Sequence, residues 1–334
     1  MGLAEGVLTE PWLPQPDGWT VVVMPLVLVT GGNGFIARHI IIQLLERGFR
    51  VRSTVRGRPE RDDQVRADLL SDDGWAEAAA GCDYVLHVAS PVRPGHVANE
   101  DDVIVPAVEG TRRVLRAARD AGVERVVLTS AFHAAGFGHP HTGHTFTEDD
   151  WSVMDGPGMD AYGRSKVLAE KAAWEFDGVD LTTLLPVAVM GPAFDGKVSG
   201  ANHIVQRILG GQMTAFPDMY VPIVDVRDVA AAHVAALTAP AGRYLLANGR
   251  PLAMKEIAAV LGVHGRSVPD FVVKLAALVK PEFRSVAGEL GHVKKISDAK
   301  ARAALGWNPR PAEEAISAAA STMRPGTDRH PARP

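Results

Sequence analysis

The chain is predicted to adopt an α/β fold, a doubly wound parallel sheet with helices on both faces and a smaller lobe toward the C-terminus. Three observations carry that prediction. Short apolar or β-branched runs alternate with longer stretches of helical periodicity, the order in which a parallel sheet acquires its crossover helices. A glycine-rich turn separates the first such run from the first helix. The 334 residues, 46% apolar and 22% charged, suffice for one large core or two interlocked ones.

Residues 26–30 are a continuous apolar run, as a strand covered on both faces requires, and lead through Gly31, Gly32, Asn33 and Gly34 into a helix. In it Ile36, Ile40 and Leu44 share a face with Ile41 and Leu45, and Gly48 stops it. Val51, Ser53 and Val55 alternate with Arg52 and Thr54 in a second strand. Strands follow at 84–89, 123–129 and 181–189, and helices at 102–120 and 160–176. After Gly191 the alternation loosens: 202–209, 254–261 and 271–278 read as helices, and 220–224 and 243–247 as strands. We therefore read 24–190 with 220–249 as the sheet domain, and 191–219 with 250–322 as the smaller, substrate-side lobe.

Composition excludes several classes. A net charge of −4 lacks the basic footprint of a nucleic-acid binder, and the apolar content is too high for disorder. The first apolar run is too short for a bilayer and is broken by Pro25, so no membrane role is expected. Cys82, the sole cysteine, excludes an internal disulfide framework and points to a reducing, cytoplasmic setting; just before an apolar strand, it reads as a small packed hydrophobe. Residues 1–23 hold three acidic residues and no Lys or Arg, unlike a secretory signal, and read as a loose extension; 323–334 reads as a frayed tail.

The turn at 30–37, TGGNGFIA, follows a strand and opens a helix. Glycines at Gly31 and Gly34 let the chain turn tightly and a pyrophosphate approach the backbone, while Asn33, Phe35 and Ile36 bring N–H groups at the helix start. This is a dinucleotide site of Rossmann type. At the end of the second strand an acidic residue would select NAD; here Val55 takes that place and Arg56 follows, which favours the 2′-phosphate of NADP(H). Asp68 and Leu69, after a short third strand, are placed at the adenine.

Together with STVRG at 53–57, HVASPV at 87–92, PAVEGT at 106–111, VVLTS at 126–130, YGRSK at 162–166 and VDVRDVA at 224–230, this turn resembles the extended short-chain dehydrogenases/reductases, in particular the dihydroflavonol 4-reductase-like branch. The likeness runs from about residue 25 to 319. It implies an NADPH-dependent reductase of a ketone or aldehyde. It also implies that Val88, Ala89 and Ser90 lie along the cofactor, that Pro186 to Val189 flank the nicotinamide, and that Lys166 holds the nicotinamide ribose.

The chemistry of YGRSK is readable from spacing. Tyr162 and Lys166, four apart, share a helix face, and an ammonium beside a phenol is expected to lower its pKa from about 10 and let the pair pass a proton at neutral pH. Tyr162 is then the general acid. The resemblance implies a third group, a serine just beyond the fifth strand, but the chain reads Thr129, Ser130, Ala131, Phe132, with alanine at the acting position. Ser130, one residue early, is retained as the catalytic hydroxyl candidate, effective only if the strand geometry is broken there.

Phe132, His133, Met154, Met190, His203 and Phe216 are candidate pocket walls by their order along the chain. Asp225, Arg227 and Asp228 are expected to form an ion pair between lobes. His139, His141 and His144 lie in a loop without helical spacing or an evident carboxylate, so no metal site is expected. A small-molecule carbonyl compound is the expected partner, and a homodimer is left open. Two rival readings are a nucleotide-sugar epimerase or dehydratase, against which Val55 and Arg56 count, and an NADP-binding regulatory protein without turnover, which Ala131 favours and Tyr162 with Lys166 opposes.

Overall fold

The computed structural model describes residues 24–91 and 97–323; the expectations for 1–23 and 324–334, and Val92 of the HVASPV motif, lie outside the described residues. Seven strands, β1 (Leu26–Val29), β2 (Arg50–Val55), β3 (Gln64–Arg66), β4 (Tyr84–His87), β5 (Arg125–Thr129), β6 (Leu181–Pro186) and β7 (Gly242–Leu246), form one sheet in the order β3-β2-β1-β4-β5-β6-β7. Every neighbouring pair is parallel. The order reverses between β1 and β4, and in open α/β sheets ligands bind at that crevice, beyond the carboxyl ends of the strands.

Alternation within the apolar strands supplies two cores from one sequence. Val27 and Val29 of β1 pack with Ile40, Leu44, Leu86, Val127 and Leu184 under helix α1 (Phe35–Glu46), whereas Leu26 and Leu28 pack on the opposite face with Val85, Val126, Val114 and Leu115 of helix α2 (Asp101–Asp120). A third cluster, including Met190, Val205, Ile208, Phe216, Ile257 and Ile316, draws on the residues between β6 and β7 and on those after β7. Two further helices matter for the site, α3 (Ala161–Trp174) and α4 (Val226–Ala235).

Two expected strands are divided, each at a proline. The run at 181–189 leaves the main sheet after Pro186: Val187 N–H donates to Leu246 in β7, but Ala188 N–H donates to Pro222, and Ala188–Met190 pairs in parallel with Ile223–Asp225. The run at 220–224 divides at Pro222, with Tyr220–Val221 antiparallel to Leu252–Ala253. Proline has no N–H to offer a ladder, so the chain changes partner there.

Candidate active site

The turn after β1 is built for a close approach. Gly31 has φ +70°, and a Cβ there would stand 3.1 Å from that of Ala89; one on Gly32 would fall 2.6 Å from Ser53 Cβ. The turn is held by Gly31 N–H on Thr54 Oγ1 (3.0 Å) and Gly34 N–H on Gly31 O (2.7 Å). Gly34 caps α1 without a side chain and the first turn holds no acid, so the positive end of the helix and its first N–H groups face the crevice unmasked. These residues fit a dinucleotide pyrophosphate: the cradle is one that a Cβ would fill, and the donors around it suit an anion. Asn33 is exposed, and Phe35 and Ile36 are half-buried.

Thr30 ties this turn to β4. Its Oγ1 accepts from Val88 N–H and Ala89 N–H (3.0 and 2.9 Å) and directs its own proton to Nδ1 of buried His87 (2.9 Å). Burial, and then the Lys166 charge, push His87 down to about 3, so it is neutral. Val88, Ala89 and Ser90 are thereby set half-buried beside Gly31. At the end of β2, Val55 is buried and Arg56 projects exposed. Asp68 Oδ1 accepts from Leu70 N–H (3.0 Å), and Leu69 packs against Gly110 of α2. Pro186 is buried and Val189 half-buried where the chain passes between sheets.

Asp160 caps α3, accepting from Gly163 N–H (2.8 Å), and thereby sets the first turn on which Tyr162 stands. Lys166 lies one turn on, 94% of it buried; its Nζ is 5.8 Å from the Tyr162 ring centroid and donates to Thr129 O (3.3 Å) at the carboxyl end of β5. Burial pushes Lys166 down to about 8, against the attraction of Glu170. The expected lowering of Tyr162 is not what the structure gives. Burial, reinforced by the Asp160 charge, pushes the phenol above its ordinary value, because a buried phenolate is costly.

Ser130, the first residue after β5, has its N–H shared between Leu184 O (2.8 Å) and Leu128 O (3.2 Å), and its hydroxyl donates to buried Glu170 (2.7 Å). Glu170 also accepts from Thr183 Oγ1 (2.7 Å) and pairs with Arg243 (2.8 Å) from β7. This buried cluster was missed from the sequence, where each member reads as an ordinary polar position. Thr129 Oγ1 meets His233 Nε2 (2.7 Å), whose Nδ1 donates to Val229 O (2.7 Å), and burial pushes His233 down to about 4.

Of the candidate pocket walls, Phe132, Met190 and Phe216 are core residues, each at most 1% exposed, and His203 is exposed; Met154 and His133 are half-buried. His133 stacks on Phe137 (4.0 Å) and meets the Tyr162 ring edge-on (5.1 Å). His144 does have a carboxylate partner, Asp150 (3.0 Å), while His141 stacks on His292 (4.5 Å). Among the described residues no three His, Cys, Asp or Glu side chains gather as a metal's ligand set. Asp225 caps α4 and pairs with Arg227 (2.7 Å), which reaches Glu314 (3.1 Å), and Asp228 pairs with Arg310; α4 is thus tied to the C-terminal segment. Cys82 is buried and its thiol pushed up by burial, as suits a packed hydrophobe.

Comparison with known proteins agrees with this geometry. Residues 27–246 match the model of the NAD dependent epimerase/dehydratase family. Cinnamoyl-CoA reductase 1 of Arabidopsis thaliana is 38% identical over 245 residues, 66% of this chain and 70% of that one. An anthocyanidin reductase of Vitis vinifera is 33% identical over 255 residues, 65% and 74% of the two chains. The structure of yeast methylglyoxal/isovaleraldehyde reductase Gre2 complexed with NADPH superposes with a TM-score of 0.71 at 26% identity, covering 89% of this chain and 98% of that one. With the glycine cradle, the Tyr162 and Lys166 pair and the sheet order already in place, the chain belongs to the NAD dependent epimerase/dehydratase family, on the dihydroflavonol reductase-like branch of the extended short-chain dehydrogenases/reductases.

Proposed function

We propose that the chain is an NADPH-dependent reductase of ketone or aldehyde carbonyls, reversible as an alcohol dehydrogenase. The observation that carries this is Tyr162 and Lys166 on one face of α3, with Lys166 fastened to the end of β5, two strands from the glycine cradle. NADPH, when bound, supplies the hydride. Gly31, Asn33, Gly34, Phe35 and Ile36 would hold its pyrophosphate, Arg56 its 2′-phosphate, Asp68 and Leu69 its adenine, and Val88, Ala89, Ser90, Pro186 and Val189 its length. Tyr162 gives its phenolic proton to the carbonyl oxygen, and Lys166 holds the ribose and lends positive charge. The relatives' own names, reductases in each case, support this assignment. NADPH oxidation against a panel of aldehydes, ketones and nucleotide sugars tests it. Consumption with aldehydes or ketones is expected; conversion of a nucleotide sugar alone would overturn it.

Cofactor choice is tested at Arg56. Arg56→Asp removes a charge-assisted contact and adds repulsion, so NADPH binding should weaken by about 2 kcal/mol or more. Fluorescence titration with both cofactors checks this, and equal wild-type affinity for NADH and NADPH would refute the assignment.

The same proposal includes the division into an NADP-binding domain of 24–190 with 220–249 and a lobe of 191–219 with 250–322; the third core cluster, drawn mostly from the lobe and joined by Met190 and Ile223, supports it. It includes a cytoplasmic location, and among the described residues no helix is long and apolar enough to cross a membrane. It includes a homodimer through helix α5 (Asp270–Val279). That helix is apolar on both sides: Val273 and Ala277 face inward, while Phe271, Leu275, Leu278 and Val279 are 61–78% exposed. A helix apolar on two faces, with Lys274 the one charge beyond its first residue, needs cover on both. These side chains offer roughly 500 Å² per chain, so a two-fold pair that buried all of it would cover about 1,000 Å², the lower bound for a biological interface. Antiparallel pairing would also set Asp270, at the start of the helix, near the partner's Lys280 just past its end. Sedimentation velocity should show a dimer that Leu275→Glu dissociates; a monomeric wild type, or a dimer indifferent to the change, would refute the interface.

A further inference from the structure

We infer that the imidazole of His133 is the second hydrogen-bond donor to the substrate's carbonyl oxygen, in place of the hydroxyl that position 131 lacks; the inference rests on the reductase reading above. As hydride reaches the carbonyl carbon, the C–O π pair moves onto oxygen, and Tyr162 completes the alcohol by giving up its proton. Until that proton has moved, charge on the oxygen is stabilised by every donor aimed at it, and one such donor is typically worth about 10²–10³ in kcat. Tyr162 supplies one.

Neither residue before the turn can supply another. Ala131 carries only a methyl group, in extended backbone (φ −156°, ψ 157°) that continues from β5. Ser130 is committed: its N–H is on Leu184 O and its hydroxyl on Glu170, which Thr183 and Arg243 hold in turn. β5 ends at Thr129, and Ser130, its N–H shared between Leu184 O (2.8 Å) and Leu128 O (3.2 Å), is held by its hydroxyl on Glu170.

The short helical turn Phe132–Ala134 then brings His133 back to Tyr162. Their rings meet edge-on, with centroids 5.1 Å apart and planes at 74°. The imidazole also lies on the face of Phe137, nearly parallel at 11° and 4.0 Å, which restricts rotation of the ring. Lys294 Nζ also lies against the Phe137 ring, 4.0 Å from its centroid. The charged groups acting on His133 are Asp160 at the start of α3, Lys166 within it, and Lys294 from the C-terminal lobe. Burial outweighs Asp160, the two lysines act with it, and the imidazole is pushed down to about 4. At neutral pH it is therefore uncharged, with one N–H to offer and no proton to lose, so it can bind the developing oxyanion while Tyr162 remains the acid.

The test uses the full chain, one accepted carbonyl substrate and NADPH titration. His133→Phe keeps a ring for both aromatic contacts and removes the donor, and His133→Ala removes both. Each should lower kcat about 10²-fold with NADPH affinity unchanged. Adding Ala131→Ser to either should recover at least about tenfold, because a hydroxyl there reaches the same oxygen; a packing role for His133 predicts no such rescue. His133→Phe with wild-type kcat, or double variants as slow as the single ones, would overturn the inference and leave the reductase reading standing. A wild type that reduces no carbonyl overturns both.

Discussion

Tyr162→Phe should lower turnover by about 10² or more and leave NADPH affinity unchanged, the usual size of a lost general acid. The substitution keeps the ring, and with it the edge contact to His133, and removes only the O–H. Burial holds the phenol protonated, which is the form needed to reduce a carbonyl. Alcohol oxidation needs the opposite form, so it should be favoured at higher pH. Lys166, pushed down to about 8, loses its proton as the pH rises through that value, and reduction should decline above it. Rates of kcat against pH, with a cofactor titration of the variant, check both statements. A Tyr162→Phe enzyme that retains most of its turnover would show that the acid is elsewhere.

Acidification should unfold the protein earlier than its modest net charge suggests. His87 and His233 are at most 2% exposed and neutral, at about 3 and about 4, whereas in the unfolded chain each titrates near 6.5. Between those values the unfolded chain takes up protons that the folded one refuses. The stability tied to the neutral rings is therefore complete above pH 6.5 and is lost as the pH falls toward 4, by on the order of 3 kcal/mol for each ring. Against a total of about 5–15 kcal/mol that loss is large. Urea midpoints at pH 7.5 and pH 5 should differ clearly at equal slope, and matching midpoints would refute the assignment of neutral, hydrogen-bonded rings.

What the sequence disclosed and what it concealed divide along physical lines. The glycine turn was readable because it is local: strand, turn and helix follow one another without interruption from Leu26 to Glu46, and backbone freedom needs glycine at Gly31. The face shared by Tyr162 and Lys166 follows from helical spacing in the same way. The divisions at Pro186 and Pro222 were hidden, because a proline ends a ladder visibly only when the strand that takes over is known. Phe132, Met190 and Phe216 were misplaced because order along the chain does not say which way a side chain points. The sense of the Tyr162 shift was hidden too: spacing locates the cation, whereas burial sets the balance. His87 and His233 did leave a signal, a lone histidine within an apolar run beside a threonine-ended strand, but only the folded sheet brings Thr30 and Thr129 onto them.

The pairing of Glu170 with Arg243 has a consequence for the order in which the chain can be built on the ribosome. Arg243 is made 73 residues after Glu170, on the strand that closes one edge of the sheet. Until it emerges, the carboxylate has the hydroxyls of Ser130 and Thr183 and the attraction of Lys166 but no cation paired with it, and removing one partner of a buried ion pair costs about 3–5 kcal/mol. A nascent chain that ends before β7 therefore has reason to keep α3 away from β5 and β6. Since α3 carries Tyr162 and Lys166, the reacting pair is expected to be firmly seated only once the last strand of the sheet arrives, and a polypeptide released early is expected to hold the glycine cradle with that pair loosely placed.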